Sequence, residues 1–250
     1  MSKRKTSALR KEQQKKYYNN QTETKTIDFE QVYHKKKRKN VEIIPKSVNQ
    51  EKYILSLLDD EKDIVVVSGP AGTGKTYLAM LTAIQAMRTG KCDKIILTRP
   101  AVAVDDEKHG FLPGDLNQKM EPWVRPLLDI LNEFYSTKEI KYMLDEQIIE
   151  ITPLAFCRGR NFKHSWIILD EAQNATPSQI KMLLTRIAEG SKIVITGDVE
   201  QTDRNMINNG LLDLTTRLNH NPVSGIAACE FDVRDIRRHK IIEDILYLYS

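Results

Sequence analysis

Ile64-Val65-Val66-Val67-Ser68-Gly69-Pro70-Ala71-Gly72-Thr73-Gly74-Lys75-Thr76 is the stretch whose reading decides the fold. Its first four residues are apolar and β-branched, and read as a strand buried on both faces. From Gly69 the residues fit a phosphate-cradling pattern of glycine, four residues, glycine, lysine and hydroxyl. Leu78, Leu81, Ile84 and Met87 then recur at helical spacing, with Gly90 placed as a C-terminal cap. Strand, glycine loop and helix therefore follow in the order of a P-loop.

The residue types fit the chemistry of that loop. Glycines let consecutive backbone N–H groups turn inward around a phosphate, and the positive end of the new helix adds to their field. Gly69, Pro70, Ala71, Gly72, Thr73 and Gly74 form the expected cradle, with Tyr77 just beyond it. Lys75 is expected to reach the β- and γ-phosphates of ATP, and the Thr76 hydroxyl to bind Mg²⁺.

The second landmark is His164-Ser165-Trp166-Ile167-Ile168-Leu169-Asp170-Glu171. Four apolar residues followed by two acids describe a buried strand that carries carboxylates to its C-terminal end, where an open α/β sheet binds ligands. Asp170 is expected to hold Mg²⁺, and Glu171 to act as general base toward the water attacking the γ-phosphate. Ile193-Val194-Ile195-Thr196-Gly197-Asp198 reads as a further strand between the other two. Thr196, Asp198 and Gln201 are then placed either to sense the γ-phosphate or merely to cap the strand end.

Elsewhere the chain gives helices, strands and turns. Asn49 to Leu55 begins an amphipathic helix, and Gln50 on it reads as a surface glutamine or as a reader of the adenine edge, since an amide both donates and accepts. Lys94 to Arg99 is a strand ended by Pro100. Leu116 to Tyr135 is helical, with Pro122 and Pro126 expected to kink or break it. Ile148 to Ile151 is another strand, and Arg158-Gly159-Arg160 lies in a basic turn that is either a surface loop or a phosphate or RNA contact. Thr176-Pro177-Ser178-Gln179 opens a helix with a capping box and a proline at its first position, running to Gly190. Arg234, Arg237 and Arg238 precede a last helix, Ile241 to Tyr249, and cations there oppose the helix dipole, which makes one of them a candidate arginine finger.

Charge is distributed unevenly. Residues 1–40 hold thirteen Lys and Arg against four Asp and Glu, a net +9, so with the whole chain at +4 the remainder carries −5. Residues 1–44 are therefore expected to form a basic, disordered arm too poor in aliphatics to fold, and residues 45–250 the catalytic domain. The run Lys35-Lys36-Lys37-Arg38-Lys39, with Tyr17, Tyr18, Phe29 and Tyr33 nearby, suits nucleic acid or is simply a solvated tail. Cys92, Cys157 and Cys229 lack the paired spacing of a zinc site or disulfide framework. No apolar run approaches the roughly 18 residues of a membrane span, and the charged N-terminus lacks a signal peptide's apolar region. The expectation is a soluble, cytoplasmic protein.

Taken together, Gly69 to Ala79, Thr98 to Val102, Gly110 to Asp115, Arg158 to Arg160, Leu169 to Asn174, Thr196 to Asp198 with Gln201, and Arg238-His239 resemble the signatures of PhoH-like P-loop ATPases, in the order of that family. The short architecture resembles stand-alone members, including those of bacteriophages. The resemblance implies a single RecA-like P-loop NTPase domain, a mostly parallel sheet with helices on both faces. It implies Mg²⁺-dependent ATP hydrolysis, coupled to RNA or DNA remodelling of helicase type, in homo-oligomeric rings such as hexamers. It puts the arginine finger on Arg238 and the adenine reader on Gln50. RNA is the favoured nucleic acid. A single P-loop supplies only one half of a two-lobed helicase, so the other half is expected from a neighbouring subunit. The alternatives are a nucleotide-dependent RNA- or protein-binding module with little turnover, and a P-loop kinase.

Overall fold

The computed structural model describes residues 40–100, 116–201 and 209–237, with the side chains of 116–124 left aside. Six strands form one wholly parallel sheet: β1 (Ile64–Ser68), β2 (Lys94–Arg99), β3 (Ile149–Pro153), β4 (Ser165–Leu169), β5 (Lys192–Gly197) and β6 (Ile226–Glu230), in the spatial order β3-β2-β4-β5-β1-β6. As the spacing predicts, β5 lies between β1 and β4. Val67 is level with Thr196, and Leu169 with Ile195. The P-loop, the two carboxylates and the Thr196 strand thus end along one edge.

Alternation along the strands sorts side chains to two faces. Val65, Val67, Ile95, Leu97, Ile168 and Val194 face one core, closed by α1 (Val48–Leu58), α2 (Lys75–Arg88), α3 (Leu116–Phe134) and α4 (Thr137–Asp145). Val66, Ile96, Ile167, Leu169, Ile193 and Ile195 face the other, closed by α5 (Pro177–Leu184) and α6 (Gly210–His220). Such two-sided cover is what parallel strands of continuous Val and Ile require. Val41 and Ile43 already pack against the first core, just ahead of Pro45.

Four sequence expectations are revised. The helix from Leu116 runs unbroken through both prolines; Leu127, Leu131 and Phe134, buried in the first core, hold it where local propensity would not. The helix capped by Thr176 ends at Leu184, well short of Gly190, which instead makes a left-handed turn before β5. Helices α4 and α6 add to the expected set, the first with a full capping box between Ser136 and Glu139. Strand β6 is also new, a half-buried edge beside β1 whose Ala227 and Ala228 give little strand signal. Residues 1–39 of the expected arm and the last helix, 241–249, lie outside the described residues. Among the described residues, no helix is long and apolar enough to cross a membrane.

Candidate active site

The loop leaves β1 at Gly69, where φ is +146° and the carbonyl oxygen of Phe231 is so near that a Cβ would stand 2.4 Å from it. Only glycine fits that approach. Gly72 and Gly74 follow at φ +84° and +87°, and the N–H of Gly69 donates to the Gly197 carbonyl at 3.2 Å. A strap from the sixth strand supports the loop from below. Phe231 N–H donates to Ser68 O at 2.8 Å, Arg237 N–H donates to Gly72 O at 3.0 Å, and the Phe231 ring meets Tyr53 edge-on at 5.6 Å. Tyr53 is wholly buried, its hydroxyl donates to Lys75 O at 3.4 Å, and burial pushes its pKa well above the usual phenol, helped by nearby Cys229 and Asp170.

Lys75 opens α2 and folds its ammonium back into the cradle, donating to Gly69 O at 2.6 Å and Pro70 O at 2.8 Å. Thr76 donates to Asp170 Oδ1 at 2.8 Å, and Thr196 donates to the same oxygen at 2.6 Å. The other oxygen, Oδ2, takes both Nε and Nη2 of Arg99. Asp170 is therefore a buried carboxylate with a donor on each side, the arrangement that makes burial of a charge tolerable.

Glu171 sits next to it with φ 56° and ψ 41°, a left-handed backbone costing a non-glycine residue about 1–3 kcal/mol. Its Oε2 accepts from Gln173 Nε2 at 2.6 Å, and Arg99 Nη2 lies 3.9 Å from its Oε1. Gln173, 2% exposed, also accepts Asp198 N–H on its Oε1 at 3.0 Å, so one amide ties the second carboxylate to the end of β5. Sequence reasoning missed the parts played by Arg99 and Gln173. Both stand inside quoted motifs, but the partner of Arg99 is 71 residues away and only the β2–β4 register brings them together.

The remaining sequence-predicted residues are spread over distinct positions. Gln50 lies against the loop, but its amide is engaged: Nε2 donates to Thr73 O at 2.9 Å and Oε1 accepts Lys46 N–H at 2.8 Å. Tyr77 is 39% exposed, with its hydroxyl 3.4 Å from Glu133 of α3. Burial and that glutamate raise its pKa. Asp198 is buried and caps its own turn by accepting Glu200 N–H at 3.1 Å, while Gln201 is exposed. Arg234 pairs with Asp232, and Arg237 donates its guanidinium to Lys46 O, so both have structural employment within their own chain. Arg238 lies outside the described residues. In the basic turn, Arg160 is bound by Glu150 and stacked on Phe162 at 4.8 Å. Arg160 in turn holds Glu150 below the usual carboxylate range.

Hard oxygen donors from Thr76 and Asp170, 2.8 Å apart beside a loop of positive-φ glycines, fit Mg²⁺ with a nucleoside triphosphate. Fold and site together define a P-loop NTPase.

The sequence profile described as PhoH-like protein matches residues 42–250, and the chain belongs to that family. It is 44% identical to a PhoH-like protein of Synechocystis over 216 residues, covering 86% of this chain and 64% of that one. It is 43% identical to the PhoH-like protein of Bacillus subtilis, covering 89% and 69%, and 36% identical to Protein PhoH of Escherichia coli, covering 76% and 54%. The chain thus spans from about half to two thirds of the length of these relatives. All three come from bacteria, and the bacteriophage-type reading is not borne out. The fold is also similar to the SWI2/SNF2 ATPase core of Sulfolobus solfataricus in complex with dsDNA, at 14% identity and TM-score 0.40 over 65% of this chain and 34% of that one. A second likeness is to the Hef helicase domain of Pyrococcus furiosus, at 12% and 0.44 over 77% and 39%. These likenesses concern the fold alone.

Proposed function

We propose that this protein hydrolyses ATP with Mg²⁺ and couples the reaction to remodelling of nucleic acid, RNA in preference to DNA, as a homo-oligomeric ring. The observation that carries the ATPase reading is the convergence of Lys75, Thr76, Asp170, Glu171, Arg99 and Gln173 on one strand edge. Thr76 and Asp170 would hold Mg²⁺, whose charge offsets that of the phosphates. Lys75 exchanges its loop carbonyls for the β- and γ-phosphate oxygens. Glu171, oriented by Gln173, takes the proton of the attacking water, and Arg99 fixes Asp170 beside it. Gln50 passes from Thr73 O to the adenine edge, and Gln201 and Asp198 follow the γ-phosphate from the end of β5. Nucleic-acid coupling is supported by the basic residues 1–40, and the ring by the single P-loop.

Phosphate release with and without RNA, beside binding of a fluorescent ATP analogue, tests the reading. Lys75→Ala is expected to lose nucleotide binding or hydrolysis. Glu171→Gln is expected to bind ATP but turn over about 10²–10⁴ times more slowly, as for loss of a general base. Unchanged turnover in Glu171→Gln overturns its assignment.

A further inference from the structure

The turn after the Leu154–Cys157 3-10 segment and α5 border an open groove of about 450 Å³, lined by Arg158, Ser178, Lys181, Met182, Thr185 and Arg186 with Gly159. Ser178, Lys181, Met182 and Thr185 fall at i, i+3, i+4 and i+7, one stripe of the helix. Three of the lining residues are cations and none is an acid. Among the described residues, no carboxylate pairs with Arg158, Lys181 or Arg186, whereas Arg160, Arg217 and Arg234 each bind one. The Nε–H of Arg186 is buried without an acceptor, a cost of about 1–3 kcal/mol. Lys181 in the last turn of α5 and Arg186 just past its cap suit the negative end of that helix, but Arg158 has no such use. Two residues before Arg158, Phe156 leaves 52% of its surface exposed on the 3-10 segment.

From this geometry we infer that the groove holds the sugar-phosphate backbone of single-stranded nucleic acid, with Phe156 stacking a base. Cations that track phosphates, hydroxyls at their side and an exposed aromatic are the parts such strands use. The stripe is about 10 Å long at the rise of an α-helix, so it can meet only a few successive phosphates of one strand. Helix α5 begins directly after Glu171 and the Ala172–Asn174 turn that carries Gln173, so a strand seated on α5 lies one short segment from the proposed general base. The inference rests on the nucleic-acid coupling proposed above and assigns its contact surface.

The test titrates the full chain with fluorescein-labelled oligouridylate, and separately with the deoxythymidylate of equal length, across a potassium chloride series. Arg158→Ala/Lys181→Ala is expected to bind either strand at least tenfold more weakly, with the slope of log affinity against log salt shallower by about 1.4, or about 0.7 for each phosphate that the variant no longer neutralises. Its basal ATP hydrolysis and thermal midpoint should match the wild type. Phe156→Ala should weaken binding without altering the slope. The strand bound more tightly by the wild type names the source of the phosphate. Should the double variant not fold, photocrosslinking of 4-thiouridine RNA to the wild type decides: adducts on the peptides of Phe156 or Lys181 support the groove, and adducts only elsewhere overturn it. A wild type that binds while the double variant keeps its affinity and slope overturns the groove alone. A wild type that binds neither strand overturns the nucleic-acid reading with it. A double variant that binds normally but changes size on gel filtration marks a protein interface and overturns the inference too.

Discussion

Glu171 and Gln173 show how much of the candidate site rests on single atoms. The strained backbone at Glu171 persists because its neighbours fix it: Asp170 N–H donates to Thr98 O at 3.0 Å, and Gln173 holds the carboxylate. Gly197 makes room for that amide. A Cβ there would stand 2.6 Å from Gln173 Oε1 and 2.7 Å from Leu211 Cδ2. Gly197→Ala is therefore expected to destabilise by about 1–3 kcal/mol through overpacking and to turn Gln173 away from Glu171 and Asp198. Turnover should fall while ATP affinity stays within a few-fold, which a stopped-flow measurement of binding beside steady-state phosphate release separates. At this scale the sequence shows which residues can do chemistry, since Lys75 and Thr76 close a recognisable glycine loop and Asp170 and Glu171 follow a recognisable strand. It does not show which side chains orient them. The roles of Arg99 and Gln173 arise from contacts across the sheet, and no local spacing encodes those.

Among the elements, legibility follows burial. Strands β1, β2, β4 and β5 are continuous apolar runs because both faces are covered, so a single sequence reveals them. The edge strand β6 is covered only in part and reads as an irregular segment. Helix α5 is short, and its start is set by side chains instead of by a long apolar face. Thr176 Oγ1 accepts Gln179 N–H at 3.3 Å, and Gln179 Oε1 accepts Thr176 N–H at 2.9 Å. Thr176→Ala should cost about 1 kcal/mol, seen as a lower midpoint in urea with an unchanged slope. Because α5 joins Glu171 to the basic groove, the same variant should weaken stimulation by RNA more than basal hydrolysis.

At the scale of the whole molecule, one P-loop on one sheet invites completion from outside. Arg238, on which the family resemblance puts the finger, is the residue proposed to act on a neighbour's γ-phosphate, with Arg237 and Arg234, which have partners in their own chain, as the alternatives. Mixing Lys75→Ala with Arg238→Ala, each inactive alone, is expected to restore activity, since some interfaces then pair an intact lysine with an intact arginine. Absence of recovery after verified subunit exchange, or full activity in a monomer, would remove the trans arrangement.

The strap of Phe231 to Arg237 means that a gene fragment can contain every recognisable nucleotide-binding motif and still encode an inert product. A clone ending at Gly225 would retain Gly69 to Thr76 and Asp170-Glu171, yet the loop would lack the Phe231 carbonyl packed on Gly69 and the hydrogen bonds to Ser68 and Gly72. Such a product is expected to be proteolysed around residues 69–74 and to retain no ATP on a filter, whereas one extended through Arg237 should resist cleavage there.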